Sequence, residues 1–566
     1  MPYRAPLHDY RFLMENVVGF AQVAATEKFA EATPDLIEAI LTEAAKMCEG
    51  VLAPLNRSGD LHPAHLENGT VRTSPGFADG YKAIAEGGWI GMSASPEVGG
   101  MGLPMTLTTT VNEMMSSACL SLQLNPLMSQ GQIEALEHHA SDEIKAIYLP
   151  KLISGEWCGT MNLTEPQAGS DVGALRAKAE PNGDGSYAIT GQKIYISWAD
   201  NDFTENVCHL VLARLPDGVA GTKGISLFMV PKRLPNADGT LGAANDLRVV
   251  SLEHKMGLHG SPTAVMEYSG AKGWLVGPAH GGMAAMFTMM NNARLGVGVQ
   301  GLGAAEGAYQ HALAYAMDRK QGKAGGSGAI IEHADVRRML AAMKADVFAA
   351  RAIALMNAVA IDMTAATGDA AWKARAAFLT PIGKAFGTDV GIDVANTGVQ
   401  VHGGMGFIEE TGAAQFSRDV RVTAIYEGTN GIQAMDLVAR KLMNGGEAAF
   451  AILDEIEATA EAAKGTLPEL AKAVWNAAET LRETTEWLVE QDLTDRFAGA
   501  VPYLRAFARV LGGHAHLSAA LAVDAGRKRL ATFYIKRLLP EHLGLLTHVR
   551  EGATDLMAIS VDDLCA

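Results

Sequence analysis

The run Ala424-Ile425-Tyr426-Glu427-Gly428-Thr429-Asn430-Gly431-Ile432-Gln433 sets one carboxylate on a short Gly-Thr turn ahead of an apolar stretch, Ile432 to Leu442, read as a helix. A carboxylate at a helix start among apolar neighbours can serve as a base with a tuned pKa. The same placement also suits a helix cap or a partner for the helix dipole. Two further runs lie upstream. Leu163-Thr164-Glu165-Pro166-Gln167-Ala168-Gly169-Ser170-Asp171 mixes small residues with hydroxyls, so backbone N–H groups can approach a bound group while Thr164 and Ser170 point at it. Its plain alternative is a polar loop of turn formers. Val399-Gln400-Val401-His402-Gly403-Gly404-Met405-Gly406-Phe407 places three glycines in four positions after an apolar helix, open enough for a phosphate or adenylate contact, or simply a helix stop.

The surrounding elements fall into blocks. Residues 1–155 read as mostly helical, with helical faces over Phe29–Met47 and Met105–Leu124 and a turn-rich break at Ser93–Pro104. Residues 156–278 change grammar. Tyr187–Thr190, Lys193–Ser197, Val207–Ala213, Ile225–Val230 and Leu247–Ser251 are short, β-branched or aromatic, and divided by turn residues, which predicts an antiparallel β domain. Helical periodicity returns over 279–445, interrupted by Gln321–Gly328, a mobile loop by composition. Residues 446–566 are Ala-rich and helical, with a break expected near Gly512-Gly513. The fold class expected is α+β and multidomain.

The chain has 566 residues, 48% hydrophobic and 19% charged, with a net charge of −17. That is the profile of a large globular core, and the acidic balance argues against nucleic-acid or anionic-membrane partners. Five scattered cysteines without a C-x-x-C predict reduced thiols and a cytoplasmic protein. No signal peptide is read in Met1–Phe20, and no apolar run is read as long enough to span a membrane.

Taken together and in this order around a β insert, the three motifs resemble the acyl-CoA dehydrogenase family. That resemblance implies an N-terminal helical domain, a central β-barrel-like domain and a C-terminal four-helix bundle, with FAD between them. The added C-terminal helical domain, the opening Tyr3-Arg4-Ala5-Pro6-Leu7 followed by Phe12, and Asp318-Arg319-Lys320-Gln321-Gly322 where many members carry Arg-x-x-Phe-Gly are similar to the large bacterial subfamily that includes 3-methylmercaptopropionyl-CoA dehydrogenases. By resemblance, Glu427 matches the catalytic base. The alternative base position of some relatives is Ala293, which cannot do acid–base work. Leu163, Thr164, Gly169, Ser170, Tyr195, Ser197, Arg319, Gln400, Gly403, Gly404 and Thr429 match FAD contacts, those of Arg319, Gln400 and the glycine pair being made across a dimer. Ser170, Asn291, Arg294, Tyr426 and Gly428 match positions near the substrate. Gly431 stands where relatives often carry Gln, and Met161 where some carry an aromatic residue.

The activity implied is desaturation of an acyl-CoA thioester at Cα–Cβ. Glu427 would remove the α proton and flavin N5 would accept the β hydride. The expected substrate is 3-(methylthio)propanoyl-CoA, with a short- or medium-chain fatty acyl-CoA as runner-up. An electron-transfer flavoprotein is the expected acceptor and a homodimer the expected assembly. A flavin oxidase or monooxygenase on the same scaffold, and a non-catalytic DNA-binding relative, are the rival classes; residues 446–566 are net acidic, which disfavours the second. Three other signals take structural readings. Gly296-x-Gly298-x-x-Gly301 follows a Met-rich helical run rather than a strand, so it reads as close helix packing. His138-His139 and His514-x-His516 lack Cys or carboxylates at ligand spacing, so no metal is expected. Arg527-Lys528-Arg529 with Lys536-Arg537 reads as a solvated helix face.

Overall fold

The computed structural model describes residues 3–566 except Ala237, Ala324 and Val523. Met1 and Pro2, at the head of the first expected domain, and Ala324, within the expected loop Gln321–Gly328, thus lie outside the described residues. Helices α1 (Leu7–Asn16), α2 (Phe20–Ala24) and α3 (Pro34–Met47) open the chain, followed by a π-helical turn and α4 (Ala53–Leu61). A hairpin of β1 (His65–Glu67) and β2 (Thr70–Arg72), then α5 (Phe77–Glu86), α6 (Met105–His139) and α7 (Asp142–Ile153), lead to the β region. The helical face expected over Phe29–Met47 starts only at Pro34, whose fixed φ suits a first helical position. The one expected over Met105–Leu124 continues to His139, but Cys119 (φ −156°, ψ 89°) breaks its helical geometry.

The β region holds β3 (Trp157–Asn162), β4 (Lys178–Pro181), β5 (Tyr187–Ser197), β6 (Asn206–Arg214), β7 (Ile225–Pro231), β8 (Arg233–Pro235), β9 (Leu241–Ala244), β10 (Leu247–Leu252) and β11 (Thr263–Val276). Strand β11 pairs with β10, β5 and β7; β7 pairs with β6; and β6 meets β4, which returns to β5. This ring closes a small barrel around Ile189, Ile196, Val211, Phe228, Val230, Met266 and Tyr268. The barrel is mainly antiparallel, as expected, but β3 and β4 both run parallel to β6. The two segments expected as Tyr187–Thr190 and Lys193–Ser197 are one strand, β5. Within it, Ile194 and Tyr195 together face a single position of β11, a bulge, and Tyr195 takes φ +60°.

The helical remainder comprises α8 (Gly282–Asp318), α9 (Ala334–Thr367), α10 (Ala370–His402), α11 (Ala413–Val420) and α12 (Asn430–Asp436). After them come α13 (Glu447–Ala463), α14 (Pro468–Glu490), α15 (Leu493–Ala498), α16 (Ala500–Leu521), α17 (Ala525–Arg537), α18 (Glu541–Arg550), α19 (Thr554–Ala558) and α20 (Val561–Cys565). The stem of the loop before α9 is closed by a Lys320–Ala329 bridge and by Gln321 N–H donating to Gly328 O. Helix α9 carries an apolar window of mean hydropathy 1.5, long enough to cross a membrane, which corrects the sequence reading; 89% of that window is buried within the fold. The chain divides into two compact units, one of Met1–Thr42, Met105–Glu113 and Arg294–Ala566, the other of Glu43–Pro104 and Met114–Ala293.

Within the first unit, glycines bring α8 and α10 into backbone contact. A Cβ on Gly298 would lie 2.6 Å from Gly383 O, and one on Gly301 would lie 2.5 Å from Thr388 Cα. The Gly-x-Gly-x-x-Gly run is therefore a helix crossing, as its helical context predicted. Helix α16 runs unbroken through Gly512 and Gly513, contrary to the expected break. A Cβ on Gly512 would meet Tyr534 Oη at 2.2 Å, so the glycine admits the tyrosine rather than ending the helix. Arg527 is buried, not solvated. It bonds Asp9 Oδ1 at 2.5 Å and its guanidinium lies 4.5 Å from the Phe12 ring centre. Asp9 also accepts from Lys344 and Arg351, and Arg351 is fully buried against Glu113 and Glu306.

In an ordinary helix interior Gly→Ala gains about 1 kcal/mol. At the crossing Gly301→Ala instead lowers the unfolding midpoint, by the equivalent of about 1–3 kcal/mol of overpacking. Gly544→Ala, with open space around it on α18, raises the midpoint. Urea titration of the two variants separates these signs.

Candidate active site

Glu427 sits at φ +54° and Gly428 at φ +81°, two successive left-handed residues. A side chain at positive φ costs about 1–3 kcal/mol and persists where neighbours over-determine it. Here the Gln433 amide, one turn into α12, donates to Glu427 O at 3.3 Å and Gly428 O at 3.4 Å. A Cβ on Gly428 would stand 2.7 Å from that same amide nitrogen, so glycine is required there. The Thr429 hydroxyl caps α12, accepting from Ile432 N–H at 3.2 Å. The helix thus starts at Asn430, earlier than Ile432. It passes at Leu437 into a π-helical segment ending at Lys441. Glu427 is not the cap, and the capping alternative for it falls away.

The Glu427 Oε2 atom is buried and has no hydrogen-bond partner among the described residues. Burial pushes the carboxyl pKa up, Arg294 and Lys384 pull it down, and it settles at about 7. Arg294 is on α8 and Lys384 on α10; both side chains are buried. Burial lowers the Lys384 ammonium to about 8. The neighbouring Tyr426 hydroxyl donates to Gln300 Oε1 and is pushed well above its ordinary pKa by burial and by Glu427. This is an ionisable carboxylate with no donor satisfying Oε2, basic at neutral pH.

Of the other expected residues of the helical unit, Arg319, Gln400, Gly403 and Gly404 are exposed and Thr429 is partly exposed. Gln400 lies in the last turn of α10, Gly403 (φ +60°) and Gly404 follow it, and a Cβ on either glycine would meet nothing. Arg319 is exposed just beyond α8. Thr429 uses its oxygen as the cap, which leaves its proton to donate.

In the other unit, Leu163 and Thr164 follow β3 and are partly exposed, while Gly169 and Ser170 are exposed. Tyr195 is 62% exposed because the bulge turns it outward, and Ser197 ends β5. Asn291 is exposed on α8. The loop is locked from beneath by a pair that the sequence reading passed over. Fully buried Lys193 Nζ bonds Glu165 Oε1 at 2.8 Å and Leu163 O at 3.0 Å. Glu165 also accepts from the N–H groups of Arg176 (2.6 Å) and Ala177 (3.0 Å). These bonds and Lys193 pull its pKa below the ordinary value against burial.

These groups fit FAD. Taken by itself, the barrel unit carries an outward aromatic and a hydroxyl-bearing loop of the kind a flavin packs against; the helical unit by itself carries a side-chain-free glycine turn, an exposed arginine and a buried carboxylate without a hydrogen-bond partner at Oε2.

Comparison with known proteins agrees. Residues 35–156, 160–271 and 280–443 match the acyl-CoA dehydrogenase N-terminal, middle and C-terminal domains, and 452–560 match the acetyl-CoA dehydrogenase C-terminal-like domain. The chain is 44% identical to 3-methylmercaptopropionyl-CoA dehydrogenase of Ruegeria pomeroyi, over 93% of this chain and 92% of that protein. It is 35% identical to a butyryl-CoA dehydrogenase of Syntrophomonas wolfei, over 99% of each. The fold matches an acyl-CoA dehydrogenase of Bacillus anthracis solved with FAD, at a TM-score of 0.76 and 21% identity over 94% of this chain and 90% of that one. The chain therefore belongs to the acyl-CoA dehydrogenase family, and its cofactor is FAD.

Sequence reading missed Lys384, Asn430, Gln433 and Gln300 as site builders. The available signal was polarity in the wrong place: Lys384 interrupts the apolar face of α10, and Gln300 that of α8.

Proposed function

We propose that Glu427 is the base that removes the α proton of an acyl-CoA thioester. The carrying observation is its buried oxygen without a partner on a constrained turn, poised at a pKa of about 7. A general base works best when its pKa lies near the working pH. Bound FAD supplies the acceptor for the hydride that leaves Cβ. Glu427 N–H has no partner among the described residues, so it is free to donate to the thioester oxygen as enolate charge develops there. Gln433 and the Thr429 cap hold that N–H and the carboxylate on one rigid turn, so neither reorganises during reaction. Leu163, Thr164, Gly169, Ser170, Tyr195, Ser197, Arg319, Gln400, Gly403, Gly404 and Thr429 hold FAD in this reading. Ser170, Asn291, Arg294, Tyr426 and Gly428 face substrate.

Glu427→Gln keeps the yellow, flavin-loaded protein and loses turnover by about 10²–10⁴-fold. In the wild type only the carboxylate accepts a proton, so kcat/KM climbs tenfold per pH unit below about pH 7 and levels off above it. An acid limb near pH 4–5 contradicts the buried, elevated carboxylate.

The substrate in this proposal is 3-(methylthio)propanoyl-CoA, supported by the similarity to the R. pomeroyi protein along nearly the whole chain. Anaerobic flavin bleaching against a panel of acyl-CoAs should give it the highest kcat/KM, about tenfold over butanoyl-CoA, roughly the worth of one well-placed apolar contact. Faster bleaching by straight-chain thioesters overturns this choice.

We further propose an electron-transfer flavoprotein as acceptor, a cytoplasmic site consistent with the five free thiols, and a homodimer. Helices α13 and α16 pack on α10, covering bundle surface, while Met405, Phe407 and Ile408 beside the glycine pair stay exposed for a partner subunit. Equilibrium sedimentation is expected to give twice the 59.7 kDa chain mass; a tetramer contradicts it.

A further inference from the structure

We propose that Lys384 is a positioning residue for the base: through Asn430 it anchors the turn that carries Glu427, and its ammonium is the countercharge on which the ionisation of that carboxylate depends. The inference rests on the reading of Glu427 as base.

The geometry begins with a lysine where α10 is otherwise apolar. Ile382, Ala385 and Phe386 around it are buried, and so is Lys384. A buried ammonium costs several kcal/mol unless paired. Its Nζ donates to Asn430 Oδ1 at 2.9 Å. Asn430 is the first residue of α12, directly after the Thr429 cap and three residues past Glu427. Its amide donates to Asp389 Oδ1 (2.7 Å), Thr388 Oγ1 (3.0 Å) and Ala385 O (3.3 Å). One side chain thus ties the start of α12 to more than a turn of α10. Gln433 holds the same turn through the carbonyls of Glu427 and Gly428.

The hydrogen bond from Lys384 goes to a neutral amide, so its charge must be balanced through space. Glu427 and Asp389 are the anions that act on it, and Arg294 opposes them. The charged and titratable groups around the site are Arg294 from α8, Lys384 and Asp389 from α10, Tyr426 from the preceding turn, Asp436 from α12 and Arg440 from the π-helical segment. Asp436 is paired with Arg440, and Asp389 is bonded by Asn430. Glu427 is left as the anion whose Oε2 has no hydrogen-bond partner, facing two cations, of which Lys384 is bonded to the turn's own helix through Asn430. The close crossing of α8 over Gly383 and Lys384 keeps this arrangement tight.

The test uses FAD-loaded protein and a readout that does not depend on turnover. The protonated-carboxyl infrared band of Glu427, isolated as wild type minus Glu427→Gln, is titrated with pH in Lys384→Met and Lys384→Arg. Lys384→Met is expected to raise the midpoint by at least one pH unit and to move the acid limb of kcat/KM with it. Lys384→Arg restores both. A folded Lys384→Met whose midpoint and limb stay at wild-type values overturns the proposal, even if kcat falls uniformly. Asn430→Ala, which keeps the cation and cuts the anchor, is expected to lower kcat at least tenfold with the limb unmoved. An unchanged kcat there also overturns the proposal, and this variant decides the matter if Lys384→Met does not fold. Turnover by Glu427→Gln would instead remove the base reading itself.

Discussion

The chemistry proposed for this protein depends on keeping one carboxylate away from hydrogen-bond donors without letting it become a plain neutral acid. A glutamate in water is too weak a base for a thioester α proton, and one satisfied by several N–H groups is weaker still. Burial of Glu427 raises its proton affinity, and Arg294 and Lys384 limit the rise so that the anion persists at neutral pH. The backbone contributes a left-handed pair, Glu427–Gly428, which places the glutamate ahead of the cap rather than on the helix, where Thr429 would otherwise share the dipole with it.

The scaffold answers that requirement at some distance. Glycines in α8 and α10 allow the two helices bearing Arg294 and Lys384 to touch backbone to backbone, which fixes both cations relative to the turn. The first α helix and α17 meet α9 through Asp9, Arg527 and Arg351, a buried cluster in which each charge is paired. Removing one member of such a cluster strands the others, at about 3–5 kcal/mol. In the barrel unit the Lys193–Glu165 pair does comparable work beneath the loop that starts at Leu163.

The parts legible in the sequence were those carried by local residue type: the Gly-Thr turn, the hydroxyl-rich loop, the glycine pair and the change from helical to strand periodicity. What stayed hidden was non-local. Lys384 meets its partner 46 residues away and Lys193 meets Glu165 28 residues away, and nothing in the local pattern marks a buried charge as paired. The parallel pairings of β3 and β4 with β6 depend on connections rather than on strand composition. Strict alternation along β5 would put Tyr195 on the face of buried Lys193, and the bulge that turns it out has no mark in the local residue pattern. Gly512 and Gly513 looked like a helix break because glycine permits two opposite things, a turn or a close contact, and only the position of Tyr534 distinguishes them.

Proton removal can be observed apart from oxidation. An acyl-CoA whose β position is sulfur cannot give up a β hydride, yet its α hydrogens remain exchangeable. With this thioester and flavin-loaded protein in heavy water, wild-type enzyme should wash deuterium into the α position, and Glu427→Gln should leave it at the uncatalysed rate. Equal exchange by both proteins would show that another group takes the proton and would contradict the account built on Glu427.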